Sequence, residues 1–256
     1  MKDKKPILYS AIVKIVSFFY KEYEFVGMEN LPDDECIIAG NHSQLNGPLV
    51  GELYFPKKPY IWCAYEMMEL REVPAYTYWD FWRNKPKYIK WWFKIASYLI
   101  APLSVFLFNN ARTIAAYHDR RAISTIRNTI KHLKNGTNIL IFPEQDKPKN
   151  HIVCDFQEGF VDIARTYFKQ TGKELKFVPL YLAPKFRKAY IGKPITFCSE
   201  NSIKEERKRI CEYLMEEITT IATQLPLHKV IPYNNMSKKD YNYNRIQGEK
   251  DEKTSC

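Results

Sequence analysis

The stretch Cys36-Ile37-Ile38-Ala39-Gly40-Asn41-His42-Ser43-Gln44 decides how this chain is read. A short apolar run closed by glycine reads as a buried strand. Its carboxyl end then presents Asn41, His42, Ser43 and Gln44, and that edge of an open α/β sheet is where ligands bind. Comparable runs at Tyr60–Ala64, Ser104–Phe108, Asn138–Phe142 and Phe177–Leu182 predict further strands. Between the later ones, Ile123, Ile126, Ile130 and Leu133 recur at helical spacing and are closed by Gly136. Phe160, Ile163, Ala164, Tyr167 and Phe168 do the same before Gly172. Strands alternating with helices predict an α/β fold: a largely parallel mixed sheet flanked by helices.

Outward from this centre, residues 1–23 predict an N-terminal amphipathic helix and 24–228 the α/β domain. Ser202 followed by Glu205 is a capping box that opens a long C-terminal helix carrying Ile210, Leu214, Ile218, Ile221 and Leu225. After Pro226 the chain turns polar and loses periodicity, so 229–256 is expected to be a mobile tail.

Composition excludes several classes. The chain has 256 residues, 45% hydrophobic and 27% charged, which is too apolar for a disordered protein. A chain of that length buries roughly 70–75% of its unfolded surface, so neither disulfide nor metal is needed to hold a core. The six cysteines, at 36, 63, 154, 198, 211 and 256, include no close pair of the kind that makes zinc or CxxC redox sites. They are read as reduced and mostly buried, in a cytosolic setting. A net charge of +10 favours anionic partners: nucleic acid, an acidic membrane surface or a phosphorylated small molecule.

Two apolar stretches, Ile7–Tyr20 with Lys14 inside and Ile95–Phe108 with Pro102 inside, fall short of the roughly 20 residues needed to span a bilayer. The first reads as a bilayer-surface helix, with Lys2, Lys4, Lys5, Lys14 and Lys21 facing anionic head groups, or as an ordinary helix packed on the domain. Tyr76–Lys94 holds four of the five tryptophans interleaved with Arg83, Lys85, Lys87, Lys90 and Lys94. It suits an aromatic belt at head-group depth, a base-stacking nucleic-acid surface, or a core hairpin.

Of five histidines, His42 stands at the proposed ligand edge. His118 and His132 lie in or beside the 120–134 helix and read as surface or satisfied residues; His151 and His228 read as solvated. A second block, Ile139-Leu-Ile-Phe-Pro143-Glu144, runs from a strand into Gln145-Asp146-Lys147 and again delivers a carboxylate and an ammonium to the carboxyl edge. The same residues also fit a turn at Pro143 followed by solvated charges. GxSxG, Walker and GxGxxG motifs do not occur.

Together these residues resemble the glycerophospholipid acyltransferase family, of the 1-acyl-glycerol-3-phosphate acyltransferase type. Asn41-His42-Ser43-Gln44-Leu45-Asn46-Gly47-Pro48 is similar to the family's His-x4-Asp block. Ser104-Val-Phe-Leu-Phe-Asn109-Asn110-Ala111-Arg112 is similar to the second block, Phe142-Pro143-Glu144-Gln145-Asp146-Lys147 to the third, and Phe177-Val178-Pro179-Leu180 to the fourth. Gly159–Ala164 resembles the glycine-containing helix between the last two, and the likeness runs from about Glu24 to Pro194.

The resemblance implies transfer of a fatty acyl group from acyl-CoA or acyl-carrier protein to a lysophospholipid or glycerol phosphate at the cytoplasmic face of a membrane, by a peripheral protein. It implies His42 as general base and Asn46 as its orienter. Arg112, Pro143, Glu144 and Lys147 would form the acceptor site, with Glu144 positioning a cation or a hydroxyl rather than a phosphate. No metal, bound cofactor or nucleic acid is expected. Three departures stand out: Gly47 occupies the dyad aspartate's place, Asn110 that of the second block's arginine, and Lys147 that of the third block's arginine. Asn46 before Gly47-Pro48 also fits an N-cap of the next helix. A non-catalytic lipid-binding protein on the same scaffold is the alternative reading, and a single-stranded RNA binder built on Tyr76–Lys94 a third.

Overall fold

The computed structural model describes residues 5–82 and 85–246. Its helices are α1 (Ile7–Phe19), α2 (Asn46–Leu53), α3 (Val73–Thr77), α4 (Lys90–Asn110), α5 (Ala122–Lys134), α6 (Asp162–Thr171) and α7 (Ile203–Gln224). Its strands are β1 (Glu24–Val26), β2 (Cys36–Gly40), β3 (Tyr60–Ala64), β4 (Thr113–Ala116), β5 (Ile139–Ile141), β6 (Glu144–Pro148), β7 (Cys154–Phe156), β8 (Lys176–Ala183), β9 (Lys188–Ile191) and β10 (Ile195–Thr196). This is the α/β fold expected, a mixed sheet flanked by helices, with both the N-terminal and the long C-terminal helix present.

The described residues form two compact units, one drawn from 1–23, 34–37 and 48–141 and the other from 24–33, 38–47 and 142–256. Strand β2 passes from the first into the second. In the first unit β3 lies parallel to both β4 and β5. The side chain of Asn138 accepts the Cys36 N–H at 3.1 Å, matching a backbone donor where β2 begins. Helix α1 is docked rather than separate: the Tyr9 hydroxyl and the Lys5 ammonium both reach Glu52, at 2.6 and 2.7 Å. Its outer face nonetheless leaves Ile7, Leu8, Ile15, Phe18 and Phe19 exposed. Lys2 and Lys4, named above with this helix, and Arg83 lie outside the described residues.

The expected strand at Ser104–Phe108 is not one. These residues are the last turns of α4, a helix of 21 residues. Only Val105 in that run is β-branched, and the helix supplies each backbone group with an internal partner. The side chains of Asn109 and Asn110 donate to the carbonyls of Val105 and Phe106, four residues back, at 2.9 and 2.7 Å. The strand that follows is β4, beyond Arg112. Because Trp91, Trp92 and Phe93 join the apolar run, 87–110 is the one helical stretch among the described residues long and apolar enough to cross a membrane.

Helix α4 is inverted for a helix in water. It buries Ser97, Ala101 and Ser104 and exposes Trp91, Trp92, Ile95, Tyr98, Leu99, Ile100 and Leu103, with Leu99 76% exposed. Trp79 and Tyr88 are exposed as well, so the core-hairpin reading fails for these rings.

In the second unit β8 pairs antiparallel with β9 and β10, and β1 pairs parallel with β9. Strand β8 is buried along almost its whole length, under α7. The capping box of α7 is formed: Ser202 and Glu205 exchange hydrogen bonds at 3.0 and 3.3 Å. Helix α6 stops at Gly172, whose φ of 72° is the left-handed cap that glycine adopts without strain.

The stretch after Pro226 differs from the expected free tail. Val230, His228 and Asn244 are buried, and a bridge joins Lys229 to Tyr243. His228, expected to be solvated, contacts the Tyr181 hydroxyl at 2.7 Å. A polar sequence is docked here because the Asn244 amide and the Arg245 guanidinium donate to the carbonyls that end α7. Residues 247–256 of the expected tail lie outside the described residues.

Candidate active site

The site is built in the second unit, where β2 ends. Gly40 has to be small, since a Cβ there would stand 3.0 Å from the Leu180 carbonyl oxygen. Asn41 is buried and its side chain imitates backbone: Oδ1 accepts the Leu182 N–H at 2.7 Å and Nδ2 donates to the Leu182 carbonyl at 3.2 Å. The ladder to β8 is thus extended by a side chain while the main chain turns away. The turn is tight, with Ser43 and Gln44 both left-handed at φ 48° and 56°. It closes through the Gly47 N–H on the His42 carbonyl, at 3.2 Å, and the Asn46 side chain on the Ser43 carbonyl, at 2.8 Å.

His42 projects from this loop. The residue as a whole is half-buried, but its Nδ1 is fully buried and has no hydrogen-bond partner among the described residues. The ring is packed between two others, edge to face: Phe142 at 5.4 Å and Tyr233 at 5.7 Å between centroids. Burial, opposed in part by the Gln44 backbone, pushes the imidazole down to about 4, so the ring is neutral at pH 7.

Glu144 joins the two halves of the site. Its Oε2 accepts the backbone N–H of His42 at 2.5 Å and its Oε1 that of Cys154 at 2.9 Å. Burial drives this carboxyl up to about 7, against the pull of the two N–H bonds. Pro143, also buried, sets the entry to the β6–β7 hairpin, and its carbonyl accepts the Gln157 N–H at 2.8 Å. Lys147 is on the same hairpin, exposed and paired with Asp155 at 2.6 Å, which raises its pKa.

The structure therefore brings His42, Asn46, Pro143, Glu144 and Lys147 into one unit. Asn46 does not engage the imidazole Nδ1; its amide braces the loop through Ser43. At position 47 a Cβ would stand 2.6 Å from the His42 carbonyl and 2.7 Å from the Phe142 ring, so Phe142 fills the space a side chain there would use. Arg112 belongs to the first unit, where its guanidinium donates to the Lys58 carbonyl at 2.8 Å and its backbone N–H to Glu52 at 3.3 Å.

Phe142, which opens the third sequence block, also surrounds the site, with Tyr233, Asn234 and Tyr241, which carry no sequence signal. The last three sit in a segment without periodicity, and nothing in its sequence signals where it docks. Beside the hairpin lies an open cavity of about 500 Å³ between β6, β7 and α7. Its three lysines, Lys147, Lys149 and Lys208, are matched by Asp155, Glu158 and Glu212, so it offers no excess positive charge.

No family model matches the chain, and no curated protein matches it. Among solved structures it is similar to the crystal structure of the 1-acyl-sn-glycerophosphate (LPA) acyltransferase PlsC from Thermotoga maritima. That match is at 19% identity and a TM-score of 0.47, over 85% of this chain and 83% of that one. A similarity of that size does not define function, which is argued below from the chain's own residues.

Proposed function

We propose that this protein is an acyltransferase that moves a fatty acyl group from an acyl thioester, acyl-CoA or acyl-carrier protein, to the hydroxyl of a lysophospholipid or glycerol phosphate. One observation carries the reading: the Glu144 carboxylate on the His42 N–H, which unites the first and third sequence blocks, 102 residues apart. A neutral imidazole at the carboxyl end of a strand suits a general base. In the proposed step an imidazole nitrogen of His42 takes the acceptor hydroxyl's proton as that oxygen attacks the thioester carbonyl. The C–S bond then breaks and the proton passes to the leaving thiolate, giving ester and free thiol.

Lys147 is proposed to meet the acceptor's phosphate, and Glu144 to hold the His42 loop rather than touch phosphate. Pro143 and Asn46 shape the backbone on either side of the base. The scheme uses no metal, no bound cofactor and no nucleic acid. The inverted α4, with Lys85, Lys87, Lys90 and Lys94 at its amino end, supports a peripheral position on an anionic bilayer, proposed to be the cytoplasmic face.

A second reading, a lipid-binding protein without turnover, is favoured by the unpartnered Nδ1. Without a carboxylate beside it, the imidazolium formed in the step gains no charge stabilisation, a loss worth about 10⁴ in turnover in serine proteases. Thiol release from acyl-CoA, measured with and without lysophosphatidate, separates the two. Acceptor-dependent release that His42→Ala abolishes supports transfer; none with wild type supports binding alone.

A further inference from the structure

The segment after α7 is fastened at two points and reaches the His42 loop between them. At the first, His228 accepts or shares the Tyr181 hydroxyl proton through Nε2 and lies 2.8 Å from the Pro226 carbonyl through Nδ1. At the second, the buried Asn244 donates to the carbonyls of Ala222 and Leu225 at 2.7 and 3.2 Å, while its Oδ1 accepts the His228 N–H at 2.8 Å. The Lys229–Tyr243 bridge closes the base of the strap, and the Lys229 ammonium braces it by donating to the carbonyls of Lys238 and Lys239.

Between these anchors the strap meets both parts of the site. The Asn234 amide donates to Asp146 on the hairpin at 2.5 Å. The Gln44 amide, on the histidine's own loop, donates to the Asn234 carbonyl at 3.4 Å and the Tyr241 hydroxyl at 3.2 Å. Next to Asn234 stands Tyr233, whose ring is almost perpendicular to the imidazole, at 89°.

We infer that Tyr233 is a positioning residue for His42: its ring, presented by the strap, and that of Phe142 clamp the imidazole in one orientation, where Gly47 leaves it no carboxylate. Edge-to-face packing on two sides restricts ring rotation as a hydrogen bond to Nδ1 would, but it adds no charge. It also excludes water from the ring, which agrees with the depressed imidazole. The ionisable groups around the loop are Glu144 on the His42 N–H, Asp146 held by Asn234, and Tyr241 held by Gln44. None of these is bonded to the imidazole; apart from the Gln44 backbone, which opposes its depression, the contacts on the ring are packing.

The test is an NMR titration of His42 from pH 2.5 to 8 in wild type, Tyr233→Ala, Tyr233→Phe and Gln44→Ala, with acyl transfer measured on each. Tyr233→Ala should move the His42 midpoint up by at least about one unit toward 6.5. It should lower kcat by roughly 10–100-fold with both KM values little changed. Tyr233→Phe should restore the wild-type midpoint. Gln44→Ala, which keeps both rings but frees two strap contacts, should shift it less and in the same direction. An unchanged midpoint in folded Tyr233→Ala overturns the inference; should that variant not fold, an unchanged midpoint in Gln44→Ala does so. Only the rate measurement rests on the proposed acyl transfer. A shifted midpoint in a protein without transfer activity leaves the clamp standing and removes the proposed reaction.

Discussion

Glu144 holds two backbone N–H groups with one buried carboxylate, that of His42 at 2.5 Å and that of Cys154 at 2.9 Å. Replacing it by Gln keeps the shape but leaves one oxygen as an NH₂ facing a donor. A buried donor without a partner costs about 1–3 kcal/mol. Glu144→Gln should therefore lower the melting temperature by several degrees and reduce acyl transfer by loosening the His42 loop. Full stability by thermal denaturation would show that the loop holds without it.

The His42 imidazole ties stability to pH with a definite sign. Its value falls from 6.5 in the unfolded chain to about 4 in the folded one, so the unfolded state binds the extra proton between those limits. Stability is lost as pH drops from about 6.5 toward 4, by roughly 2–3 kcal/mol at pH 4.5. Glu144 runs the other way, since a carboxyl raised from 4.5 to about 7 loses stability as pH rises through that range. Comparing wild type with His42→Ala cancels the Glu144 contribution. Urea denaturation should show the variant gaining on wild type between pH 7 and 4.5, and a constant gap would mean an ordinary imidazole.

Gly47 should resist the aspartate that the family's dyad would place there. Its Cβ would meet the His42 carbonyl oxygen and the Phe142 ring well inside contact distance. Gly47→Asp is expected to cost about 1–3 kcal/mol through crowding and to give no gain in thiol release. A stable variant with a raised rate would refute the packing argument.

Lys147 is neutralised by Asp155, so two substitutions should move the acceptor KM in opposite directions. Asp155→Ala frees the ammonium and should lower KM for lysophosphatidate; Lys147→Glu should raise it. The thioester KM should stay constant in both. Equal changes for both substrates would remove Lys147 from the acceptor site.

Trp91 and Trp92 are 55% and 59% exposed, so their loss should leave the fold intact. Changing both to Ala, with Lys87 and Lys90 to Glu, should reduce cosedimentation with anionic liposomes, most of all at low salt. The melting temperature should change little. Unchanged cosedimentation with intact melting would take α4 off the membrane.

The strand that delivers His42 and the strand that runs on toward Glu144 were readable because each is a short apolar run ending in punctuation, at Gly40 and Pro143; the β6–β7 hairpin that Glu144 opens is polar and was not. Their meeting was suggested only by the resemblance, since spacing carries no information on a contact across 102 residues. Ser104–Phe108 misled because a five-residue window looks like a strand, while the helix it belongs to is 21 residues long. Its outward Trp, Tyr and Leu faces reverse the usual pattern, so amphipathicity did not mark its inner side either. The strap was invisible for another reason: single amide and hydroxyl contacts such as Asn244, Asn234 and Tyr241 have no period to detect.

The strap also gives the site a schedule. His42 leaves the ribosome early, but Asn234, the partner of Gln44 in its loop, is 190 residues beyond Gln44, some 10–40 s later at ordinary rates of synthesis. Throughout that interval the imidazole and the left-handed turn beneath it lack one wall. A chain released before residue 244, or nicked between 230 and 243, would carry every residue of the four blocks and still have an unfinished histidine.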